Sequence, residues 1–321
     1  MYAIRMHGYG GPEVLRYEEC DPPVPSTGQL VVSVEAIGVN PIDWQIRSGL
    51  DAARASRQLP TVLGVDFAGR VFSVGGGVST FQVGDRVFGQ CEPAEDGSYA
   101  EFVRVCSTRV ARYPANLGPI RASSLPTMAL AAWQALFELG KLQAGKRILI
   151  AGVAGNVGRL AAQFCRRVPD VTVVGVCRAA AWTEELHGIC PTLIEPENHA
   201  MITGSGGRFD LVLNLLGTGF EPIAIAATRR GGCLVTPSPV VDLGHCSARG
   251  VLRIGLDRRF SRLQLETIAH LVARGTISLP PLHIEHLSSA ARVHAMAESR
   301  HLNGKAVLVP GTMPTSLTWT P

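Results

Sequence analysis

The chain of 321 residues is long enough for two domains of ordinary size. Its hydrophobic fraction of 46% can fill a sizeable core, and its charge content excludes an intrinsically disordered protein. The formal net charge of +4 is spread along the chain. Its densest basic group, Arg258, Arg259 and Arg262, is typical of a solvated helix face, so we predict no nucleic-acid partner.

Cysteine spacing and apolar runs bear on the cellular location. The eight cysteines are scattered without CxxC spacing, so neither a zinc knuckle nor a disulfide framework is predicted. Free thiols in this number indicate a reducing compartment. The N-terminal sequence MYAIRMHGYGGPEVL lacks the apolar run of a signal peptide, and no uncharged apolar stretch has the length of a membrane span. We therefore predict a cytoplasmic protein that does not enter a membrane.

The first third of the chain is predicted to be rich in short strands. Strand patterns cover 1–5, 29–39, 62–74 and 86–89, and glycine turns separate them. This arrangement favours a folded-over sheet or partial barrel. Between the second and third patterns, Asn40-Pro41 predicts a helix start, with Asp43 at the capping-box position. Asp43 is also four residues before Arg47, a spacing that allows the two to pair on one helix face.

The middle of the chain alternates strand and helix patterns. The segments in chain order are an apolar helix over 123–139, strands over 147–151, 171–176, 210–216 and 232–236, and helical segments over 157–167 and 183–187. Near-continuous apolar strands between helices predict an α/β fold with a parallel sheet covered on both faces. A helix over 259–274 and a strand over 305–309 follow, and we expect the strand to return to the first domain.

A glycine turn, Gly152-Val153-Ala154-Gly155-Asn156-Val157-Gly158, follows the first of these strands. Small residues there allow the backbone to approach a pyrophosphate, and the next helix presents free N–H groups. The spacing is GxxGxxG rather than GxGxxG, so a tight turn that binds nothing remains an alternative. Arg178 follows the next strand, at the position where an NAD-binding site carries an acidic residue. A basic residue there suits the 2′-phosphate of NADPH, so we predict NADPH as the cofactor. The alternative is a surface arginine that binds nothing.

Several segments, in a fixed order along nearly the whole chain, carry a resemblance to a known family. They are 10–15 (GGPEVL), 39–43 (VNPID), 47–49 (RSG), 64–71 (GVDFAGRV), 81–87 (FQVGDRV), 125–126 (LP), 132–136 (AWQAL), the glycine turn and 304–308 (GKAVL). Together they resemble the quinone oxidoreductase branch of the medium-chain dehydrogenase/reductase family. This branch is the zinc-independent group of zeta-crystallin-like quinone reductases and enoyl reductases.

The resemblance implies two domains and a cofactor site. A GroES-like, β-rich substrate domain would comprise 1–122 and 280–321, and a Rossmann domain with a doubly wound parallel sheet would comprise 123–279. The cleft between them would hold nicotinamide and a small-molecule substrate, in a homodimer or homotetramer. The implied cofactor contacts are Asn40, Gly152, Ala154, Gly155, Asn156, Val157, Cys177, Arg178, Leu216, Thr236 and Pro237. Substrate-pocket candidates are Asp43, Trp44 and Asp51, and no catalytic residue is assigned.

A zinc site is not predicted. Zinc-dependent members of the superfamily carry a ligand histidine after the glycine at position 64, but Val65-Asp66 follows here, and the four-cysteine structural loop is missing. His283 and His286 are three residues apart, and we expect the intervening Glu285 to face away from them. These histidines are therefore interpreted as surface residues.

The function implied by the resemblance is NADPH-dependent hydride transfer to a quinone or an α,β-unsaturated carbonyl compound. The tyrosine that many such reductases carry after the Arg-Ser-Gly segment is replaced by Leu50-Asp51. Two alternatives therefore stay open, since a fold does not determine a function. One is a non-redox biosynthetic enzyme such as a cyclase, lyase or isomerase, and the other is a non-catalytic NADPH-binding protein.

Overall fold

The computed structural model describes residues 1–50, 58–204, 207–237, 246, 248–299 and 301–311. The chain forms two compact units, one of Met1–Thr127 with Phe260–Pro321 and the other of Met128–Arg259. The helix that begins at Arg262 belongs to the first unit, whereas the second domain predicted from sequence extended to 279. Hydrogen bonds explain this grouping, because the Arg262 guanidinium donates to Val110 O and Ser107 O, both at 2.8 Å.

The elements are numbered here in chain order. The strands are β1 (Tyr2–Met6), β2 (Leu15–Glu19), β3 (Gln29–Gly38), β4 (Thr61–Val62), β5 (Asp66–Val74), β6 (Arg86–Gln90), β7 (Phe102–Cys106), β8 (Val110–Arg112), β9 (Arg147–Ala151), β10 (Thr172–Val176), β11 (Thr192–Ile194), β12 (Phe209–Asn214), β13 (Thr228–Thr236), β14 (Leu252–Gly255), β15 (Leu282–His286) and β16 (Lys305–Val309). The helices are α1 (Pro41–Arg47), α2 (Pro119–Trp133), α3 (Asn156–Cys165), α4 (Glu184–Ile189), α5 (His199–Thr203), α6 (Glu221–Ala227), α7 (Arg262–Ala273) and α8 (Ala290–Glu298). A π-helical segment, Gln134–Leu139, continues α2.

The first unit is built on two sheets. The larger has the order β15-β16-β3-β5-β6-β8, with β7 also paired to β3, and the smaller has the order β2-β1-β4. Strand β16 pairs antiparallel with β3, which confirms the predicted return of the last strand to the N-terminal part. The predicted continuous strand over 62–74 is wrong near its beginning, where residues 63–65 interrupt it. Gly64, with φ +100°, separates β4 from β5, and a Cβ there would lie 2.2 Å from the Tyr99 ring.

The second unit contains a six-stranded sheet in the order β11-β10-β9-β12-β13-β14. Every neighbouring pair is parallel, so the predicted α/β fold with a doubly wound sheet is confirmed. In such sheets ligands bind beyond the carboxyl ends of the strands, where the strand order reverses. Here the reversal lies at β9, between β10 and β12, and the glycine turn begins directly after β9.

None of the helices in the described ranges is both long enough and apolar enough to cross a membrane. Helix α3 shows the amphipathic pattern, because Leu160, Ala161 and Phe164 are buried while Gln163 is partly exposed. This pattern seats the helix against the sheet and fixes the direction of its first turn toward the end of β9.

Candidate functional site

The glycine turn is tied to the end of the neighbouring strand. Gly152, with φ +90°, adopts a backbone conformation that other residues rarely tolerate, and its N–H donates to Val176 O at 2.8 Å. Gly155 N donates back to Gly152 O at 3.0 Å and caps the start of α3. The turn is therefore fixed between β9 and β10, with the first N–H groups of α3 directly after it.

Gly158 allows α3 to pack directly on this turn. A Cβ at Gly158 would lie 2.3 Å from Gly152 O and 2.7 Å from Val153 Cα, and no real Cβ contact is that short. Gly155 is also constrained, since its Cβ would lie 3.3 Å from Gly152 O. The close approach of helix and strand leaves a backbone cradle that fits a dinucleotide pyrophosphate.

The other predicted cofactor residues of this unit follow the carboxyl ends of adjacent strands. Cys177 and Arg178 follow β10, Leu216 comes two residues after β12, and Thr236 and Pro237 stand at the end of β13. Because these strands are parallel neighbours of β9, the structure brings the residues to the same edge of the sheet as the glycine turn. Ala154, Asn156 and Val157 belong to the turn and the start of α3.

The predicted residues at this edge differ in solvent exposure. Arg178 and Pro237 are exposed, whereas Cys177 and Thr236 are buried.

Asn214, at the end of β12, was not predicted from the sequence as a site residue. Its Oδ1 accepts a hydrogen bond from Leu216 N at 3.1 Å, and its Nδ2 donates to Gly217 O at 3.0 Å, so it orders the loop after β12. A buried polar residue at the end of an apolar strand was the signal that could have identified it.

In the first unit, Asn40 lies in a buried polar network. Its Nδ2 group donates to Gly38 O at 2.9 Å and to Asp66 Oδ2 at 3.0 Å, and its Oδ1 accepts from Lys305 Nζ at 2.5 Å. The residue is 1% exposed. Both amide hydrogens are therefore in use, and Oδ1 is the atom that could accept a further hydrogen bond from a ligand. The predicted nicotinamide contact of Asn40 remains a prediction.

Asp43 is fully buried beside Asn40. Its Oδ2 accepts from Asn40 N at 2.7 Å, as expected for the capping-box position, and from the Tyr99 hydroxyl at 3.1 Å. Its Oδ1 makes no hydrogen bond. Burial raises the pKa of the Asp43 carboxyl to about 7, and the neighbouring Asp66 acts in the same direction. Asp43 thus holds a proton over a pH range in which an exposed aspartate is ionised.

The predicted pairing of Asp43 with Arg47 is wrong. The Arg47 guanidinium instead donates to Gly10 O at 3.1 Å and to His294 Nδ1 at 3.2 Å, and it pairs with Glu298. These partners come from outside α1, and they draw the guanidinium away from the Asp43 carboxyl one turn earlier. Arg47 itself is buried, so its charge is compensated inside the unit rather than by water.

Tyr99 and His294 connect Arg47 to Asp43. Burial, with the Arg47 charge, lowers the pKa of His294 to about 3, so the ring is neutral and accepts at Nδ1. Its Nε2 then carries the hydrogen and donates to the Tyr99 oxygen at 2.9 Å, while the Tyr99 hydroxyl donates to Asp43 Oδ2. Burial and Asp43 raise the pKa of Tyr99 well above its ordinary value. All the donors in this chain of hydrogen bonds therefore point toward the Asp43 carboxyl.

Asp66 is occupied by protein donors. Its carboxyl oxygens accept from Gln90 Nε2 (3.1 Å), Thr127 Oγ1 (2.8 Å), Thr127 N (2.9 Å) and Asn40 Nδ2 (3.0 Å). No cluster of three or more metal-ligating side chains occurs within the ranges that the structure covers.

The expectation that Glu285 faces away from the histidines is wrong for His283. Alternation along β15 places residues two apart on one face, and their side chains lie 3.1 Å apart.

Of the two remaining substrate-pocket candidates, Trp44 and Asp51, the structure describes only Trp44. Trp44 is partly buried, and its ring lies 6.3 Å from the His294 ring in an edge-on arrangement. Asp51 lies outside the described residues. The structure therefore brings Asn40, Asp43 and Trp44 together at α1 of the first unit, and it brings the other candidates together at the sheet edge of the second.

Known proteins similar in sequence to this chain carry a GroES-like domain or are quinone oxidoreductases and their homologs. Residues 26–115 match the alcohol dehydrogenase GroES-like domain. The chloroplastic quinone-oxidoreductase homolog of Spinacia oleracea is 30% identical over 224 residues, which are 67% of this chain and 68% of that protein. The quinone oxidoreductase of Mus musculus is 38% identical over 167 residues, 52% of this chain, and this match spans about half (49%) of the mouse protein.

Solved structures agree over almost the whole chain. The quinone oxidoreductase of Coxiella burnetii has a TM-score of 0.87 and 27% identity, with 96% of this chain and 99% of that chain covered. The quinone oxidoreductase of Escherichia coli, solved in complex with NADPH, has a TM-score of 0.85 and 25% identity, with 97% and 100% covered. The chain thus has the GroES-like and doubly wound architecture of medium-chain dehydrogenases. It belongs to the quinone oxidoreductase branch of the medium-chain dehydrogenase/reductase family of oxidoreductases.

Proposed function

We propose that this protein binds NADPH at the carboxyl edge of the parallel sheet and reduces a quinone or an α,β-unsaturated carbonyl compound without zinc. The observation that carries the proposal is the backbone cradle at Gly152 and Gly158 together with Arg178 at the end of β10. An acid at that strand end would suit the ribose hydroxyl of NAD, whereas an arginine suits a 2′-phosphate. The NADPH complex of the Escherichia coli relative supports the same choice of cofactor.

The residues of the cradle have separate tasks in this proposal. The first N–H groups of α3, at Asn156 and Val157, would hold the pyrophosphate, and Arg178 would bind the 2′-phosphate. Leu216, Thr236 and Pro237 would line the edge further along. When bound, the reduced nicotinamide supplies the hydride. The protein then contributes orientation and exclusion of water, and a proton from solvent completes the reduced product.

The proposal is tested by calorimetric titration with NADPH and NADH, followed by steady-state assays with a panel of quinones and enones. We expect tighter binding of NADPH than of NADH and loss of reduced-nicotinamide absorbance with at least one acceptor class. Product formation without consumption of NADPH would indicate the non-redox alternative. Tight binding of NADPH without turnover on any acceptor would indicate a non-catalytic binding protein. Either result would contradict the proposal.

Arg178→Glu is expected to weaken NADPH binding by roughly 10- to 100-fold, because charge-assisted hydrogen bonds to a phosphate contribute about 1.5–3 kcal/mol. NADH, which lacks the 2′-phosphate, should bind with little change or more tightly. The matched control is Arg167→Glu, the same charge change at an exposed position after the other end of α3. Equal weakening by the two variants would show a general field effect rather than a contact.

Gly158→Ala is expected to weaken both cofactors by about tenfold or more, since the added Cβ would overlap Gly152 O and displace the turn. Gly188→Ala is the control, because an added Cβ there meets nothing within 4 Å. Differential scanning calorimetry separates lost folding from lost binding. A Gly158→Ala protein that binds NADPH as tightly as the wild type would exclude the turn as the pyrophosphate site.

The proposal also covers the oligomeric state of the protein and its cellular compartment. The resemblance implies a homodimer or homotetramer, and the cysteine content favours the cytoplasm. Light scattering after size-exclusion chromatography measures the first. A monomeric mass at micromolar concentration would contradict it.

A further inference from the structure

Arg159 is an arginine on the buried side of α3, where its neighbours in sequence are apolar. The residue is 5% exposed. Its Nε donates to Ala154 O at 3.1 Å, so the side chain leans back over the glycine turn. Side chains on helices point toward the N-terminus, which explains this direction. The guanidinium therefore lies beside the predicted phosphate cradle and not at the far end of the helix.

The terminal part of this guanidinium is incompletely satisfied. Nη1 is buried and makes no hydrogen bond, although Glu185 Oε2 lies 3.0 Å away. A guanidinium carries five N–H donors, and buried donors in folded proteins are nearly always paired. The Glu185 side chain is 48% exposed, so this partner remains largely hydrated. Charge is thus compensated at Arg159, but its hydrogen-bonding capacity is not.

Glu185 relates the Arg159 guanidinium to the next strand. Glu185 lies in α4, the helix that follows β10, and its Oε2 is 3.0 Å from Arg159 Nη1. Ala154 O places the same guanidinium beside the turn after β9. In doubly wound sheets, the space between that turn and the end of the second strand holds the adenosine ribose of a dinucleotide. Arg178, the next residue after Cys177, borders the same space.

We propose that Arg159 is a second phosphate-binding arginine that determines selectivity for NADPH over NADH, and that Glu185 is the counter-ion it releases when the 2′-phosphate binds. This inference rests on the proposed function. Two arginines match the double negative charge of a phosphomonoester, and Nη1 supplies a donor that the protein leaves unused. Glu185 is exposed enough to return to water when the phosphate takes its place.

The test is titration of NADPH and NADH into Arg159→Gln, Arg159→Lys, Glu185→Gln and the Arg159→Gln/Glu185→Gln double variant. We expect Arg159→Gln to weaken NADPH by about tenfold or more and NADH by less than about twofold. Arg159→Lys should recover part of the selectivity, because it keeps the charge. Glu185→Gln should tighten NADPH severalfold without changing NADH, and this gain should disappear in the double variant. Glu184→Gln is the control, since this adjacent glutamate is exposed and its replacement makes the same change of charge.

Several results would overturn the inference. Equal weakening of both cofactors by Arg159→Gln would mean that Arg159 only supports the turn. Weaker NADH binding in Glu185→Gln would mean that Glu185 contacts the ribose hydroxyls. A gain from Glu185→Gln that persists without Arg159 would mean simple repulsion between carboxylate and phosphate. Wild-type protein that binds neither cofactor would instead refute the proposed function, so the two failures are distinct.

Discussion

Lys305→Met is expected to lower the free energy of opening of the β3–β16 region by about 3–5 kcal/mol, the usual effect of removing one partner from a buried charged network. The Lys305 ammonium is buried and donates to Val39 O at 2.7 Å and to Asn40 Oδ1 at 2.5 Å. Methionine preserves the length of the side chain but leaves both oxygens without this donor. It also removes a positive charge that acts on the buried Asp43 carboxyl group.

Hydrogen exchange of amides in β3 and β16 is the appropriate measurement, because a chain of two units need not unfold in a single transition. Lys141→Met is the matched control. Lys141 is exposed, and its replacement should change the free energy by no more than about 0.5 kcal/mol. A loss below about 1 kcal/mol in Lys305→Met would show that the network does not depend on this lysine.

Asp43→Asn and His294→Gln are expected to change the pH dependence of stability in opposite directions. Asp43 has its pKa raised from 3.8 to about 7, so its contribution to stability is complete below 3.8 and is lost as the pH rises through 7. His294 has its pKa lowered from 6.5 to about 3, so its contribution is complete above 6.5 and is lost as the pH falls through 3. In the wild type the two effects oppose each other over the same interval.

The stability of Asp43→Asn relative to the wild type should increase by about 3 kcal/mol as the pH rises from about 4 to about 6.5. Each pH unit corresponds to about 1.4 kcal/mol for one proton. His294→Gln should lose about the same amount over this interval. Exchange rates of β3 amides, corrected for their intrinsic pH dependence, give both values. Parallel curves for the two variants and the wild type would contradict the assigned protonation states.

Regular patterns in the sequence were sufficient for most of the fold. Apolar strands separated by helical segments predicted the parallel sheet of the second unit, and the glycine turn marked its first strand correctly. The capping residues Asn40 and Asp43 predicted the start of α1, because capping depends on residues adjacent in sequence. The strand over 62–74 was predicted as continuous, since its apolar composition masks the break that Gly64 introduces.

Contacts between distant parts of the chain could not be predicted. His294 meets Tyr99 across 195 positions and Arg47 across 247, and neither contact has a local pattern. The Asp43–Arg47 pair was expected from helix spacing alone, but stronger partners outside the helix bind Arg47. Arg159 had a visible signal, an arginine among buried apolar residues of a helix. Its partners, however, depend on how α4 packs beside α3.

Deuterium transfer from NADPH that is deuterated at both C4 positions tests the central claim most directly. The labelled cofactor, an accepted enone and the wild-type protein are incubated, and the product is examined by mass spectrometry and NMR. The proposed reductase should transfer the label to the β-carbon of the product, with one cofactor oxidised for each product formed. Product without label, or formed without oxidation of NADPH, would contradict hydride transfer by this protein.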